Sequence, residues 1–323
     1  MRVLVTGGAG YVGSHAVKRL LREGHEVVVY DDLSRGHASL VPAETLVRGE
    51  LADRSGLASL LAERGIEAVM HFAAFAFVGE SVADPARYYR NNIGGTLSLL
   101  EAMREAEVQR IVFSSTCATF GIPDRTPIDE DAPQRPINPY GFTKLVMERA
   151  LADYAQAYGF AFAALRYFNA CGASPDGDIG EDHDPETHAI PLALLAALGE
   201  REKFTILGDD YPTPDGTCIR DYVHVDDLAD AHLRALDRLE PGRGLCLNLG
   251  TGRGFSVREV VDACARVSGR EVPVEVGPRR PGDPPELVAD PTRAREVLGW
   301  KPAYTELDPM VETAWRWHSR RVG

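Results

Sequence analysis

The chain has 323 residues, 44% apolar and 26% charged. That is ordinary globular composition, with room for one large domain or two moderate ones. Its 48 acids against 35 bases leave a net charge of −13, which disfavours nucleic acid and anionic membranes as partners. No apolar run reaches the roughly 18 residues that span a bilayer, and the start Met1-Arg2-Val3-Leu4-Val5 lacks a basic and apolar leader. The five cysteines (Cys117, Cys171, Cys218, Cys246, Cys264) are scattered, with no CxxC pair. This spacing suits a reducing cytoplasm and argues against a structural zinc, so no metal site is expected.

Taken in chain order, Arg2–Thr6 predicts a buried strand, residues 15–23 a helix and residues 26–30 a second strand. A helix over 55–64, a strand over 68–72 and a long helix over 86–106 follow. A strand over 110–114, a helix over Pro139–Tyr158 and a strand over Ala161–Tyr167 complete the first half. Strand–helix alternation with short connections predicts a parallel sheet covered on both faces. From 169 to 187 the texture becomes irregular and rich in Gly, Pro and Asp. A helix over 191–199 and a strand over Phe204–Leu207 come next, then a second irregular stretch over 208–217. These segments predict a smaller lobe over the carboxyl edge of the sheet. A helix over 225–239 and a strand over 245–249 predict a return to it. The expected division is residues 1–170, with a return segment near 219–252, against a lobe over 171–323.

TGGAGYVG at 6–13 follows the first strand and opens the first helix. Gly7, Gly10 and Gly13 have the spacing of a dinucleotide fingerprint: one for a tight turn, one for approach to a pyrophosphate, one for helix-on-strand packing. The fold class is therefore α/β, a Rossmann-type doubly wound parallel sheet with a smaller C-terminal α/β substrate lobe. The second strand ends at Asp31-Asp32, where a carboxylate reaches the adenosine ribose hydroxyls and repels a 2′-phosphate. This favours NAD over NADP. A turn aspartate suits Asp32 equally well, and Arg35 nearby is able to accept a phosphate.

Tyr140 and Lys144 stand at i and i+4 at the start of a helix, so they share a face. An ammonium beside a phenol stabilises the phenolate, giving a base for a sugar hydroxyl. The chain has only four lysines (Lys18, Lys144, Lys203, Lys301), so this placement is informative. The hydroxyl cluster Ser114-Ser115-Thr116 ends the preceding strand, and Thr116 can relay a proton to Tyr140. The competing readings are a solvated helix face for the pair and a turn residue for Thr116.

These residues resemble the extended short-chain dehydrogenase/reductases, in particular their nucleotide-sugar epimerases. The likeness runs through HFAAFAFVGESV at 71–82, YYRNNIGGT at 88–96, FSSTCATFG at 113–121, NPYGFTK at 138–144 and LRYFNACGA at 165–173. It continues in GEDHDPETHAIP at 180–191, GDDYPTPDGTCIRDYVHVDDLA at 208–229, NLGTG at 248–252 and PRRPGD at 278–283. The resemblance implies Tyr140 as base, Lys144 as its electrostatic partner and Thr116 as hydroxyl relay. NAD would contact Gly7, Gly10, Tyr11, Val12, Gly13, Asp31, Asp32, Leu33, Ser34, Arg35, Gly36, Glu50, Leu51, Phe72, Ala73, Ala74, Phe75, Asn91, Ser114, Tyr140, Lys144 and Phe168. A UDP-sugar would lie on Thr116, Tyr140, Asn169, His188, Thr205, Ile206, Leu207, Arg220, Tyr222, Val257, the run from Arg280 through Pro281 to Asp283, and Leu287. Arg220 and Arg280 can clamp a diphosphate bidentately, although a surface ion pair is the competing reading for each.

The implied reaction oxidises C4, turns the 4-keto sugar and reduces its other face, interconverting UDP-galactose and UDP-glucose with no net redox change. The chain departs from the pattern at Thr116, where members often have serine, at Glu50 in place of aspartate, and at Ala76 in place of a lysine. Leu287 stands at the position that gates N-acetylated sugars and is intermediate in size, which implies preference for the unacetylated pair. UDP-xylose remains an alternative substrate. Cys117 and Ala118 lack the carboxyl groups that a 4,6-dehydratase uses after the threonine, and a plain alcohol oxidoreductase or a non-catalytic NAD sensor leaves the second lobe or the Tyr140–Lys144–Thr116 set unexplained. By the same resemblance the assembly is a homodimer through helices near 89–106 and 140–158. Val146, Ala150 and Tyr154 form a stripe there that core packing would also explain.

Overall fold

In the computed structural model, residues 1–280 and 282–322 are described; Pro281 and Gly323 lie outside the described residues. The first half runs β1 (Arg2–Thr6), α1 (Tyr11–Arg22), β2 (Glu26–Asp31), β3 (Leu46–Arg48), α2 (Arg54–Glu63), β4 (Ala68–His71), α3 (Val78–Ala83), α4 (Pro85–Tyr88), α5 (Gly95–Glu105), β5 (Arg110–Thr116), α6 (Pro139–Tyr158) and β6 (Ala161–Tyr167). The second half runs β7 (Asn169–Cys171), α7 (Ala189–Leu198), β8 (Phe204–Leu207), β9 (Ile219–His224), α8 (Val225–Asp237), β10 (Gly244–Leu249), β11 (Gly254–Ser256), α9 (Val257–Ser268), β12 (Val274–Gly277), β13 (Glu286–Leu287), α10 (Thr292–Leu298) and α11 (Leu307–Val322).

Seven strands form one parallel sheet in the order β10-β6-β5-β4-β1-β2-β3. Alternate residues of a strand point to opposite faces, and both faces here are covered. Val3 and Val5 pack with Val17 and Leu20 of α1 and Leu228 and Leu236 of α8. Leu4 packs with Leu57 and Leu61 of α2, Leu99 and Met103 of α5, and Met147 and Leu151 of α6. This two-sided burial is why the strands read as unbroken apolar runs. The order reverses between β1 and β4, so the loops leaving their carboxyl ends diverge and open a crevice.

β10 pairs with β6, as the expected return to the sheet requires. α8 and α10 also pack into the core of the main sheet, while α7, β8, α9 and α11 pack around a separate core that includes Ile190, Leu194, Phe204, Val260 and Met310. Its central strand, β9, carries β7, β11 and β13. Among the described residues, no helix is long and apolar enough to cross a membrane.

Four expectations are corrected. The helix expected over 86–106 is interrupted by a π-helical turn at Tyr89–Gly94. There Asn92 turns its amide away from the helix to Phe75 N–H, the Phe75 carbonyl and Thr143 Oγ1, while Thr96 Oγ1 donates to the Asn92 carbonyl at 2.6 Å. Such bulges commonly mark functional sites. The first helix starts at Tyr11 rather than 15, because two of the fingerprint glycines belong to its entry. The strand expected over 110–114 continues to Thr116. Asn169–Cys171, within the expected irregular stretch, pairs with β9.

Asp221 on β9 holds the second lobe together. One carboxylate oxygen accepts from Thr251 N–H and Thr251 Oγ1, the other from Gly252 N–H and Ala289 N–H. Burial pushes its pKa up to about 6, against those four donors. Asp221→Asn replaces an acceptor oxygen with an NH2 group facing two N–H donors. It is expected to cost about 2–4 kcal/mol, read as a lower midpoint in urea unfolding with far-UV circular dichroism retained in water.

Candidate active site

A cleft of ≈ 620 Å³ lies over the carboxyl ends of β1, β2, β4 and β5, with the second lobe forming its far wall. The β1–α1 turn is its floor. Gly7 has φ +70°, and a Cβ on it would sit 2.4 Å from Ala73 N; one on Gly13 would sit 2.2 Å from the Gly7 carbonyl. Both glycines are demanded by the protein's own packing. Gly10 differs, since a Cβ there meets only the Gly7 carbonyl at 3.3 Å. Its missing side chain keeps the cleft floor open. Among the described residues no side chain caps α1, so the first N–H groups of the helix, at Tyr11 and Val12, stand free for an anion.

Asp31 accepts from Ala9 N–H and Leu33 N–H, each at 2.9 Å, and burial raises its pKa. It therefore braces the glycine turn while facing the cleft. Asp32 accepts from Ser34 N–H at 2.8 Å, which gives it the turn role. Arg35 is engaged by Glu80 at 2.6 Å and by the Asp184 carbonyl at 2.8 Å, and it lies over the Phe75 and Phe77 rings. It is not free to neutralise a 2′-phosphate. These features fit a dinucleotide without that phosphate.

Of the sequence-expected cofactor residues, Gly7, Gly10, Tyr11, Val12, Gly13, Asp31, Asp32, Ser34, Arg35, Gly36, Glu50, Leu51, Phe72, Ala73, Ala74, Phe75, Asn91, Tyr140 and Phe168 line the cleft. Leu33 instead packs against the core. Ser114 and Lys144 sit behind the wall: Lys144 Nζ donates to the Ser114 carbonyl at 2.6 Å, and Ser114 Oγ pairs with Tyr167 Oη at 2.7 Å. Thr116, Asn169, His188 and Tyr222 line the cleft from the substrate side.

The other expected substrate residues lie outside that lining. Thr205 donates to Glu275 at 2.9 Å, Ile206 is in the lobe core, and Leu207 ends β8 beside them. Val257 packs against the same core at the start of α9. Arg220 is buried and paired with Asp283 at 2.6 Å, and Arg280 is exposed. Leu287 pairs in register with Arg220 and packs against the cluster that holds Cys117 and Phe168.

Tyr140 and Thr116 both line the cleft, with the threonine close enough to act on the phenol. Burial pushes the phenol well above an ordinary tyrosine, with Tyr167 adding to the effect and Thr116 opposing it. Burial likewise brings Lys144 down to about 7, against the pull of Glu148. Lys144 Nζ is directed at the Ser114 carbonyl, so its hydrogen bond goes to the backbone of β5.

Sequence reasoning missed Arg90 and Gly94 of the π-helical turn, Gly95 and Ser98 in the first turns of α5, Tyr167 at the end of β6, and His183, Ile190 and Pro191 from the far wall. The pair Gly94-Gly95 inside a helical run was a signal for the first group. For His183 the signal was its spacing from acids in Glu181-x-His183-x-x-Glu186-x-His188.

The model of the NAD dependent epimerase/dehydratase family matches residues 3–250. The chain is 53% identical to a UDP-glucose 4-epimerase of Rhizobium meliloti (strain 1021) over 320 residues, 99% of this chain and 97% of that one. It superimposes on the crystal structure of UDP-glucose 4-epimerase from Brucella ovis in complex with NAD with a TM-score of 0.94 and 54% identity, covering 97% of each chain. A UDP-glucose 4-epimerase from Stenotrophomonas maltophila with bound NAD and formylated UDP-arabinopyranose superimposes with a TM-score of 0.95 at 43% identity, over 99% of this chain and 98% of that one.

The glycine geometry separates two roles. Gly13→Ala forces overpacking and is expected to cost about 1–3 kcal/mol of stability, seen as a fall in Tm. Gly10→Ala is expected to leave Tm near that of the parent while weakening NAD binding at least about ten-fold, equivalent to about 1.4 kcal/mol, in isothermal titration.

Proposed function

We propose that this chain, which belongs to the NAD dependent epimerase/dehydratase family, interconverts UDP-glucose and UDP-galactose by inverting the sugar C4, with NAD as its cofactor. The observation that carries the reading is the meeting of Tyr140 and Thr116 on the same cleft whose floor is the uncapped glycine turn. One end of the cleft is shaped for a dinucleotide, and the other presents a phenol and a hydroxyl for proton transfer.

Tyr140 takes the proton of the C4 hydroxyl and later returns it, with Thr116 Oγ1 bridging sugar and phenol. NAD, when bound, supplies the hydride acceptor and donor and a positive ring that favours the phenolate. Lys144 holds the floor beneath Tyr140 by fixing the Ser114 carbonyl, and it contributes charge at the distance its burial allows. Asp31 and Gly36 hold the adenosine side and Tyr11 and Val12 the phosphates. Asn169, His188, Tyr222 and Asp283 meet the sugar nucleotide, and Arg220 and Arg280 serve its diphosphate from the rim. Arg220 reaches that role by sharing its guanidinium between Asp283 and the ligand. Residues 1–170 with the return through β10 form the cofactor domain, and the remainder forms the substrate lobe.

Elimination chemistry is disfavoured at this site. Cys117, next to Thr116, is buried and its thiol is pushed up to about 12 by that burial, and Ala118 carries no proton to give. The exposed rings of Tyr89, Phe142 and Tyr158, with Leu97, lie on the α5 and α6 side of the molecule. They support a homodimer in which a second copy covers that face.

The test is NMR of the anomeric protons of UDP-galactose mixed with the purified chain. UDP-glucose should grow in to a constant ratio, with no net NADH. Tyr140→Phe should lower kcat by about 10²–10⁴ with NAD binding retained. No conversion by the parent chain, even with added NAD, would overturn the assignment. Leu287 yields a second expectation: UDP-N-acetylglucosamine should turn over more slowly than UDP-galactose, and Leu287→Ala should narrow the gap about ten-fold or more, read as the ratio of the two kcat/KM values.

A further inference from the structure

Residues 181–188 cross the cleft wall between α7 and the cofactor side. Within these eight residues Glu181, His183, Glu186 and His188 turn one ligand atom each to a common point, all four within 4.8 Å of one another. Glu181 is buried, its side chain 2% exposed, with His183 Nδ1 3.1 Å from Glu181 Oε1 and His188 Nδ1 in closer contact with the same oxygen. Glu186 Oε1 stands 3.8 Å from the first imidazole nitrogen and 3.9 Å from the second.

Hydrogen bonding leaves this cluster incomplete. Two imidazole nitrogens compete for one carboxylate oxygen, and among the described residues His183 Nδ1, fully shielded from solvent, has no hydrogen-bond partner of acceptable geometry. If both rings carried protons, two like charges with ring centroids 5.3 Å apart would also repel. A single dication removes both difficulties, since neutral imidazoles and carboxylates can all donate to it at once.

We infer that Glu181, His183, Glu186 and His188 form a binding site for a divalent transition metal, best matched to Zn2+. The donor set is two nitrogens and two oxygens, which suits a four-coordinate borderline ion better than Mg2+ or Ca2+. Ligand atoms about 2.0–2.2 Å from a tetrahedral zinc lie about 3.4 Å apart; three pairs here stand at 3.1, 3.8 and 3.9 Å, and the closer His188–Glu181 pair would open to admit the ion. Supports for the ligands are in place: Thr187 N–H and His188 N–H donate to Glu186 Oε1, and Trp317 Nε1 donates to the Glu181 carbonyl at 2.8 Å.

The ion would pin a strap that already reaches across to the cofactor side. Arg35 donates to the Asp184 carbonyl, His37 Nε2 lies 3.0 Å from the Asp182 carbonyl, and His183 meets the Tyr11 and Phe77 rings edge-on. The site is a fastening for the wall of the cleft, and no step of the proposed reaction passes through it.

The test uses the full chain with the nucleotide it carries, dialysed against EDTA, then against Zn2+, then against metal-free buffer. Metal content is read by mass spectrometry, with Co2+ in a parallel sample. One zinc per chain should be retained, and Co2+ should show the intense visible bands of tetrahedral coordination. Glu186→Gln and His183→Ala should each weaken zinc binding more than about ten-fold, at least the loss that an outer-shell partner causes. A parent chain that retains no zinc overturns the inference without recourse to a variant. So does zinc retained equally by folded Glu186→Gln and His183→Ala. Metal content reads no catalysis, so the result stands whether or not the epimerase reading does.

Discussion

The carbonyl of Gly7 is the constraint on which the cleft depends. It occupies the space where a side chain on Gly13 would stand, and the backbone of Ala73 occupies the space beside Gly7 itself. β1, β4 and α1 therefore meet with no side chains between them. That contact brings the uncapped end of α1 to the carboxyl edge of the sheet. Asp31 completes it from β2 by holding Ala9 N–H. A carboxylate that lines the cleft thus also fixes the glycine turn at its floor, so the two cannot vary independently.

The opposite wall rests on a buried polar network. Glu148, one turn beyond Lys144 on α6, accepts from Ser115 Oγ, from the guanidinium fork of Arg166 and from Gln134. Ser115 lies between Ser114, whose carbonyl takes Lys144, and Thr116, which meets Tyr140. Each hydroxyl of the cluster therefore has a different employer: Ser114 binds Tyr167, Ser115 binds Glu148, and only Thr116 faces the cleft. In a site of low dielectric, satisfied partners of this kind fix side-chain positions.

Much of the fold was legible because its physics is local. The strands of the main sheet are buried on both sides, so their apolar runs stand out, and the glycine spacing marks the turn that must follow β1. The π-helical turn was not legible as such. Its cause is the amide of Asn92 bonding to Phe75 and Thr143, 17 and 51 residues away, and nothing in the periodicity of 86–106 encodes those partners. β7 escaped for a similar reason, since three residues show no alternation and acquire strand geometry only by pairing with β9. In the site, spacing brought Tyr140 and Lys144 together correctly as neighbours on one helix face. It could not tell that the lysine would be taken by the Ser114 carbonyl, or that Arg35 would be taken by Glu80. Charged side chains reveal their type in sequence and their commitments only in space.

The distribution of polar groups along the cleft bears on how a sugar would turn in it. The lining shared with Tyr140 and Thr116 includes the apolar Phe168 and Ala170 and the polar Asn169, His188 and Tyr222, while Cys117 and Leu287 pack against Phe168 outside that lining. The charged groups, Arg220 with Asp283 and the exposed Arg280, stand outside the cleft lining. Directional bonds to a hexose would favour one epimer and raise the barrier to its rotation, whereas bonds to the nucleotide are common to both epimers and cost nothing in rotation. A reaction with two equivalent directions therefore gains more from bonds to the nucleotide than from bonds to the hexose. The same preference explains why the fastening of the far wall lies on the 181–188 strap, away from the phenol: the wall must stay closed while the space in front of Tyr140 stays free.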